Sequence, residues 1–551
     1  MSKKVVIVGG VAGGASAACR LRRLDEQAQI VMFERDEYIS FANCGLPYHI
    51  SEVIEERQKL IVQTPQAMYS RFRIDIRTFS EVIGVDTARK VVKVRSLEKG
   101  EYEESYDSLI LSPGAGPFVP GIPGADSNKV FTLRNIADTD RIKNYVDTKG
   151  VKRAVVVGGG FIGLEMAENL RERDIDVTLV EAADHVMPPL DGDMAVILEQ
   201  ELNKNGVHLV LGDGIKAVEK NGAEAVTVET ASGKRLPADM VVMAIGVRPA
   251  TNFLKDSGIE LGPKGHIVVD EKLRTNAPDV YAVGDAIQVK DFVTGDTAAI
   301  PLAGPANKQG RIVADVICGL DAHYEATQGT SIIKVFGLAG ACTGANERTL
   351  KAKGISYHKV MSHPFSHATY YPHSVQFDAK LLFDDEGVIL GCQMVGKSGV
   401  DKRMDVVATA MRLGAKAPEL TELELAYAPP FSSAKDPVNM LGYVAENVLN
   451  GSAKLVDWDY ALNRDPSKTI LLDVRTPKEY ELGHVEGSVN IPVDDLRERL
   501  EELDRSKQII EYCQVGIRAH VAYRILAQNG FDVVNVTGGW KTYSYLQYKP
   551  E

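Results

Sequence analysis

Two stretches of the chain share one hydrophobic rhythm. VVIVGGVAGGASAACRLRRL, from Val5, and AVVVGGGFIGLEMAENLRE, from Ala154, each run through β-branched residues, break at glycines and resume with helical periodicity. Each predicts strand, glycine turn and helix. Each is followed by a second apolar run ending on an acid, IVMFER at Glu34 and VTLVEA at Glu181. From about Ile332 to Leu449 the pattern becomes mixed, with strands such as KLLFD and VILGCQMV followed by a helical stretch. NGSAKLVDW reads as a linker, and a compact α/β pattern closes the chain.

Glycines at a strand-to-helix turn let the backbone turn tightly and approach a pyrophosphate, which the free N–H groups of the helix N-terminus attract. The acid ending the second strand accepts hydrogen bonds from ribose hydroxyls. Gly158, Gly160 and Gly163 match G-x-G-x-x-G in full. The first copy keeps Gly9 and Gly14 but has Val11 at the middle position. Two copies imply two dinucleotides. TNAPDVYAVGDA predicts a strand closed by Asp285, whose carboxylate suits a ribityl hydroxyl, the N-cap of the next helix, or both.

With 551 residues the chain is too long for one core. The expected fold is α/β: two nested Rossmann-like dinucleotide-binding domains, an α+β dimerisation domain and a C-terminal α/β domain. The expected boundaries are 1–118 with 248–325, 119–247, 326–450 and 456–551. The net charge of -12 argues against non-specific nucleic-acid binding. No segment has the uninterrupted apolar length of a membrane span, and six scattered cysteines without a CxxC pair fit a reducing cytoplasm better than a disulfide scaffold or zinc knuckle.

Two cysteines stand in informative contexts. Cys44 lies in SFANCGLPY, and the residues after it begin like a helix, whose N-terminus would favour the thiolate. No second cysteine is spaced to pair with it, so its oxidised form is a mixed disulfide, a persulfide or a sulfenic acid. Cys513 heads the loop CQVGIR, which would wrap backbone N–H groups around a sulfur anion and close on Arg518. That loop is one residue shorter than a phosphatase signature, which suits sulfur better than phosphate. His484 and Asp473 read as scaffold. His363, His367 and His373 suggest no metal, because Pro364 and Pro372 spoil helical pairing.

GGVAGG, SFANCGLPY, SPGAGP, GGGFIGLE, AIGVRP, TNAPDVYAVGD and LAYAPPFSSAKD together resemble the flavin-dependent pyridine nucleotide–disulfide oxidoreductases. They are most similar to the single-cysteine branch of coenzyme A-disulfide reductases, persulfide reductases, NADH oxidases and NADH peroxidases. LLDVRTPKEYELGHVEGSVNIP, YCQVGIRAHVAYRILAQNGF and GGW resemble a rhodanese domain.

The resemblance implies FAD at Gly9, Gly14, Glu34, Asp285 and Ala303. It implies NADH at Gly158, Gly160, Gly163 and Glu181, with NADPH as the alternative donor and Glu181 favouring NADH. Coenzyme A binding falls on Ser16, Arg20, Arg23, Ser40, Asn43, Arg71, Asn307 and Lys435. Arg20 stands where relatives show glutamine. Tyr427 takes the place of the histidine acid of two-cysteine enzymes, and Tyr370 or Tyr371 joins it; in the family such tyrosines come from the partner of a homodimer. Cys44 is the implied redox thiol, Cys513 the sulfane carrier, and the substrates coenzyme A disulfides, coenzyme A persulfides or polysulfide. Two other readings stay open: an oxidase or peroxidase cycling Cys44 through sulfenic acid, and a sulfane-sulfur carrier whose flavin half does not turn over.

Overall fold

The structure is a computed structural model that describes residues 3–221 and 225–550. The chain forms two compact units, Met1–Ala183 with Gly206–Gly329, and Asp184–Asn205 with Thr330–Glu551.

The first unit holds two five-stranded parallel sheets. One runs, in spatial order, Val280–Ala282, Ser108–Leu111, Lys4–Val8, Gln29–Phe33 and Asp75–Arg77. The other runs Val207–Val210, Asp176–Val180, Arg153–Val157, Met240–Met243 and Val130–Phe131. In both, the strand before the glycine turn is central and the chain departs to opposite sides of it. Such a switch point opens a crevice at the carboxyl ends of the strands. The central strands are buried on both faces, which explains their unbroken Val and Ile runs.

The outer glycines of each turn are required by packing. A Cβ on Gly14 would lie 1.9 Å from the Gly9 carbonyl oxygen, and one on Gly163 would lie 1.8 Å from that of Gly158. Gly9 and Gly158 adopt φ of +97° and +108°, in the left-handed region. The middle position differs: a Cβ on Gly160 would meet nothing within 4 Å. The protein's own packing therefore does not demand glycine there, and the first turn carries Val11 at the equivalent point as the N-cap of the helix Ala12–Leu24.

The second unit contains an antiparallel sheet ordered Ser331–Val335, Leu338–Gly344, Ile389–Gly396, Phe377–Phe383 and His358–Ser362. It also contains a parallel sheet ordered Leu455–Val456, Val533–Val536, Gln508–Tyr512, Thr469–Asp473 and Ser488–Asn490. The helix Gly192–Lys204 belongs to this unit and is tied to it by charge. Lys380, fully buried, meets Asp191 at 2.9 Å, Asp193 at 2.7 Å and also Glu347. Three carboxylates this close could hold a metal ion, but here the cation is the Lys380 ammonium. Burial opposes the charges, yet the carboxylates hold the lysine above its usual range, and Lys380 with Lys359 holds Glu347 well below the carboxylate range.

Replacing Lys380 with Met leaves Asp191, Asp193 and Glu347 clustered with Lys359, beside Asp193 and Glu347, as the remaining lysine partner. The expected loss is about 3–5 kcal/mol, seen as a lower urea midpoint for the transition of this unit.

Candidate functional sites and family

Cys44 sits on a 3₁₀ turn, Asn43–Gly45, that leads into a helix of only five residues, Leu46–Ile50. The residue is exposed, but enough protein surrounds its sulfur for burial to raise the thiol pKa. The charges of Glu165 and Asp285 raise it further. The expectation that a helix N-terminus favours the thiolate is therefore corrected: the helix is a single short turn, and two carboxylates oppose the anion. Glu165 projects from the helix of the second glycine turn and Asp285 from the turn Gly284–Ala286, so both nucleotide-binding halves converge on this sulfur.

Glu165, missed in the sequence, is the most perturbed of the three. Burial and the neighbouring Glu168 push its carboxyl up to about 7, against a hydrogen bond from Tyr48. Burial and the same two carboxylates push the Tyr48 hydroxyl up to about 12. The available signal was position, since Glu165 lies two residues past the last fingerprint glycine. Asp285 does not act as an N-cap, because the cap residue of its turn is Val283. Burial raises its pKa, with Arg134 opposing.

The two distal acids behave alike. Glu34 accepts from the N–H of Gly10 (2.9 Å) and of Asp36 (3.1 Å). Glu181 accepts from the N–H of Gly159 (2.6 Å) and of Ala183 (2.8 Å). Each carboxylate thus braces the glycine turn from the neighbouring strand. Ala303 opens the helix Ala303–Ile317, which packs on Ala12–Leu24.

Ser16, Arg20, Arg23, Ser40 and Asn307 all line one cavity of about 300 Å³, together with Cys19, Gln63, Met68 and Arg311. Ser16 donates to Asn307 (2.5 Å), and Arg23 lies 5.2 Å from the centre of the Phe72 ring. Arg20 is paired with Asp315 at 2.6 Å, so its charge is already partly engaged. Asn43 and Arg71 are exposed and lie outside this lining, and Lys435 belongs to the second unit. Gln63 and Arg311 were missed. Arg311 follows Asn307 by one helical turn, and the Gln63 N–H donates to the Ser40 carbonyl (3.3 Å).

In the second unit Tyr370 and Tyr427 share a hydroxyl–hydroxyl hydrogen bond of 2.9 Å. Tyr371 instead packs edge-on against His367, with ring centres 5.8 Å apart. The two tyrosine segments are joined where Ala368 N–H donates to Ser432 O (3.0 Å) and where buried Arg403 donates to Ser366 O (2.9 Å) and Ser432 Oγ (3.1 Å). His363 hydrogen-bonds Asp378, while His367 contacts Ser366 and the Pro372 carbonyl.

Cys513 is buried, and its sulfur accepts from the Gly516 N–H at 3.1 Å. Gly516 has φ of +100°, which turns its N–H inward. Arg518 donates twice to Glu479, both at 2.7 Å. Glu479 also closes a capping box with Thr476, and the arginine above all holds its carboxyl down to about 2. His484 stacks on Tyr480, with ring centres 3.8 Å apart, and Asp473 pairs with buried Arg475 at 2.6 Å. Two residues before the sulfur, Glu511 is fully buried with neither oxygen hydrogen-bonded among the described residues, and burial followed by the Cys513 charge raises its pKa well above the usual range.

The sequence profile of the pyridine nucleotide-disulphide oxidoreductases matches residues 3–310. The chain belongs to that family. Its dimerisation domain matches residues 330–437, and a rhodanese-like domain matches residues 457–545. The chain is 39% identical to the coenzyme A disulfide reductase of Staphylococcus aureus over 446 residues, 80% of this chain and all of the relative. The reduced CoADR-RHD of Bacillus anthracis is 51% identical, with a TM-score of 0.97 over 99% of this chain and 98% of that one. A NAD-dependent persulfide reductase from A. fulgidus is 35% identical, with a TM-score of 0.92 over 98% of this chain and all of that one. Among the described residues, no helix is long and apolar enough to cross a membrane.

Above about pH 7 Glu165 carries a charge that disfavours the Cys44 thiolate; below it that charge is gone. Replacing Glu165 with Gln therefore lowers the pH midpoint of Cys44 alkylation by iodoacetamide, measured by peptide mass. An unchanged midpoint would mean that the two groups do not interact.

Proposed function

We propose that the chain reduces coenzyme A disulfides, coenzyme A persulfides or polysulfide with NADH at Cys44, and that its rhodanese domain carries sulfane sulfur on Cys513. The observation that carries this reading is the lone thiol at the convergence of the two nucleotide-binding halves, in the same unit as a cavity lined by Ser16, Arg20, Arg23, Ser40 and Asn307. The relatives named for coenzyme A disulfide and for persulfide support the same chemistry.

The residues fit a bound flavin. Asp285 is a half-buried carboxyl without a hydrogen-bond partner among the described residues, as an acceptor for sugar hydroxyls should be. The first glycine turn leaves backbone N–H groups at the helix N-terminus for a pyrophosphate. Flavin, when bound, supplies the two-electron link between nicotinamide and sulfur.

Cys44 acts as a thiolate. It attacks one sulfur of the oxidised substrate and forms a mixed disulfide, while the second sulfur leaves as thiolate or hydrosulfide. Two electrons from NADH then cleave that mixed disulfide, releasing the substrate half as a thiolate and returning Cys44 to the thiolate. Glu165, hydrogen-bonded by Tyr48 and with its carboxyl pushed up to about 7, is the titratable group suited to exchange a proton at this site. Tyr370 and Tyr427, already hydrogen-bonded to each other, protonate the leaving sulfur from the partner subunit of a homodimer. Cys513 takes sulfane sulfur from a donor as a persulfide held by the loop N–H groups, with Arg518 and Glu479 bracing the loop. Asn43, Arg71 and Lys435 complete the coenzyme A contacts, and the enzyme works in the cytoplasm.

Replacing Cys44 with Ser is expected to lower NADH-dependent disulfide reduction by at least about a hundredfold and to leave thiosulfate sulfurtransfer intact; Cys513 to Ser gives the reverse. Loss of both activities in a folded Cys44 variant would refute separate roles. The Glu181 carboxylate repels a 2′-phosphate, so kcat/KM for NADH should exceed that for NADPH, and a clear preference for NADPH would overturn that assignment.

A further inference from the structure

The loop that holds Cys513 is fixed from outside by the first turn of the helix Gly539–Leu546. The Trp540 N–H donates to the Cys513 carbonyl (2.7 Å), and the Lys541 N–H donates to the Gln514 carbonyl (3.0 Å). A peptide group is planar and trans, so its C=O and N–H point in opposite directions. Turning these two carbonyls toward the helix therefore turns the Gln514 and Val515 N–H groups away from it, and the Gly516 N–H, next along the loop, reaches the sulfur at 3.1 Å. The approach is close: a Cβ on Gly539 would lie 2.4 Å from the Cys513 carbonyl oxygen.

The same helical turn is gripped on its other side by the antiparallel sheet of the dimerisation domain. His363, fully buried, donates from Nε2 to the Gly538 carbonyl (3.0 Å), contacts Thr542 Oγ1 (3.0 Å) and hydrogen-bonds Asp378 through Nδ1. Asp378 also receives Lys541 Nζ (3.0 Å) and the Tyr545 hydroxyl (3.3 Å). The Met361 N–H donates to Thr537 Oγ1 (2.9 Å), and a Cβ on Gly538 would lie 3.0 Å from the Met361 Cβ. Lys541 thus holds the sulfur loop with its backbone and the dimerisation domain with its side chain.

We propose that His363 and Asp378 are positioning residues of the sulfur-transfer centre: through Gly538 and Lys541 they set the direction of the N–H groups around Cys513, so that the rhodanese site is completed by a neighbouring domain. The inference rests on the sulfur-transfer reading of Cys513.

The test uses the full-length holoenzyme with His363→Ala, Lys541→Met and Lys541→Arg. The two disruptive variants are expected to lower kcat for sulfur transfer from thiosulfate to a thiol by about tenfold or more. They should also move the pH midpoint of Cys513 alkylation up by about one unit, with NADH-dependent disulfide reduction within about twofold of the parent. Lys541→Arg keeps a cation on Asp378 and should restore both sulfur readouts. Alkylation needs no sulfur donor, so it separates the two ideas: a shifted midpoint in a protein without sulfurtransfer would sustain the positioning role and sink the sulfur-transfer reading. Parent-like kcat and midpoint in both disruptive variants would overturn the proposal. So would equal loss in Lys541→Arg, or parallel loss of the reductase activity. If His363→Ala does not fold, the Lys541 pair decides.

Discussion

The charge around Cys44 constrains everything built near it. A thiol must ionise to attack a disulfide, yet burial and two carboxylates hold this one toward the neutral form. The opposition is useful if the sulfur anion is needed only at one stage. A group such as Glu165, poised near neutral pH and hydrogen-bonded to Tyr48, lets the site gain or lose a negative charge without rearranging its backbone. Every added positive charge then counts strongly, and the same unit holds a cavity lined by Arg20, Arg23 and Arg311.

Cys513 solves the same problem in the opposite way. It is buried, its sulfur receives a backbone N–H, and the loop carbonyls are turned outward against a helix. The acid two residues before it, Glu511, is fully buried, and burial raises its pKa well above the usual carboxylate range. A sulfur cradled by fixed dipoles is poised to store a persulfide. A sulfur facing titratable carboxylates is poised to cycle. Two thiols of one chain thus differ through their surroundings rather than their own chemistry.

Much of this was legible in the sequence wherever covalent geometry alone decides. Gly9, Gly14, Gly158 and Gly163 are fixed by contacts within a few residues or one strand, and their spacing announces them. The middle position is different: Gly160 faces open space, so the fold itself leaves room for Val11 at the equivalent point of the first turn. The residues after Cys44 do begin a helix, but it stops at Ile50, and the charges of Glu165 and Asp285, brought in from distant segments, oppose the thiolate that its N-terminus was expected to favour. Contacts between distant segments left no local trace. Arg20 meets Asp315, and Tyr370 rather than Tyr371 meets Tyr427; neither pairing follows from spacing.

The junction between the antiparallel sheet and the rhodanese fold follows from that last point. Met361, His363 and Asp378 read as ordinary residues of one strand pair and its edge, and GGW as an ordinary turn. Gly538 and Gly539 both adopt positive φ, +73° and +58°, and both are closely packed: a Cβ on Gly538 would meet Thr542 Oγ1 at 2.1 Å and the Met361 Cβ at 3.0 Å, and one on Gly539 the Cys513 carbonyl oxygen at 2.4 Å. A side chain at either position would separate the sulfur loop from its brace. The double glycine is therefore better understood as a thin wall between two domains than as a flexible hinge, and a thin wall transmits position because nothing in it can yield.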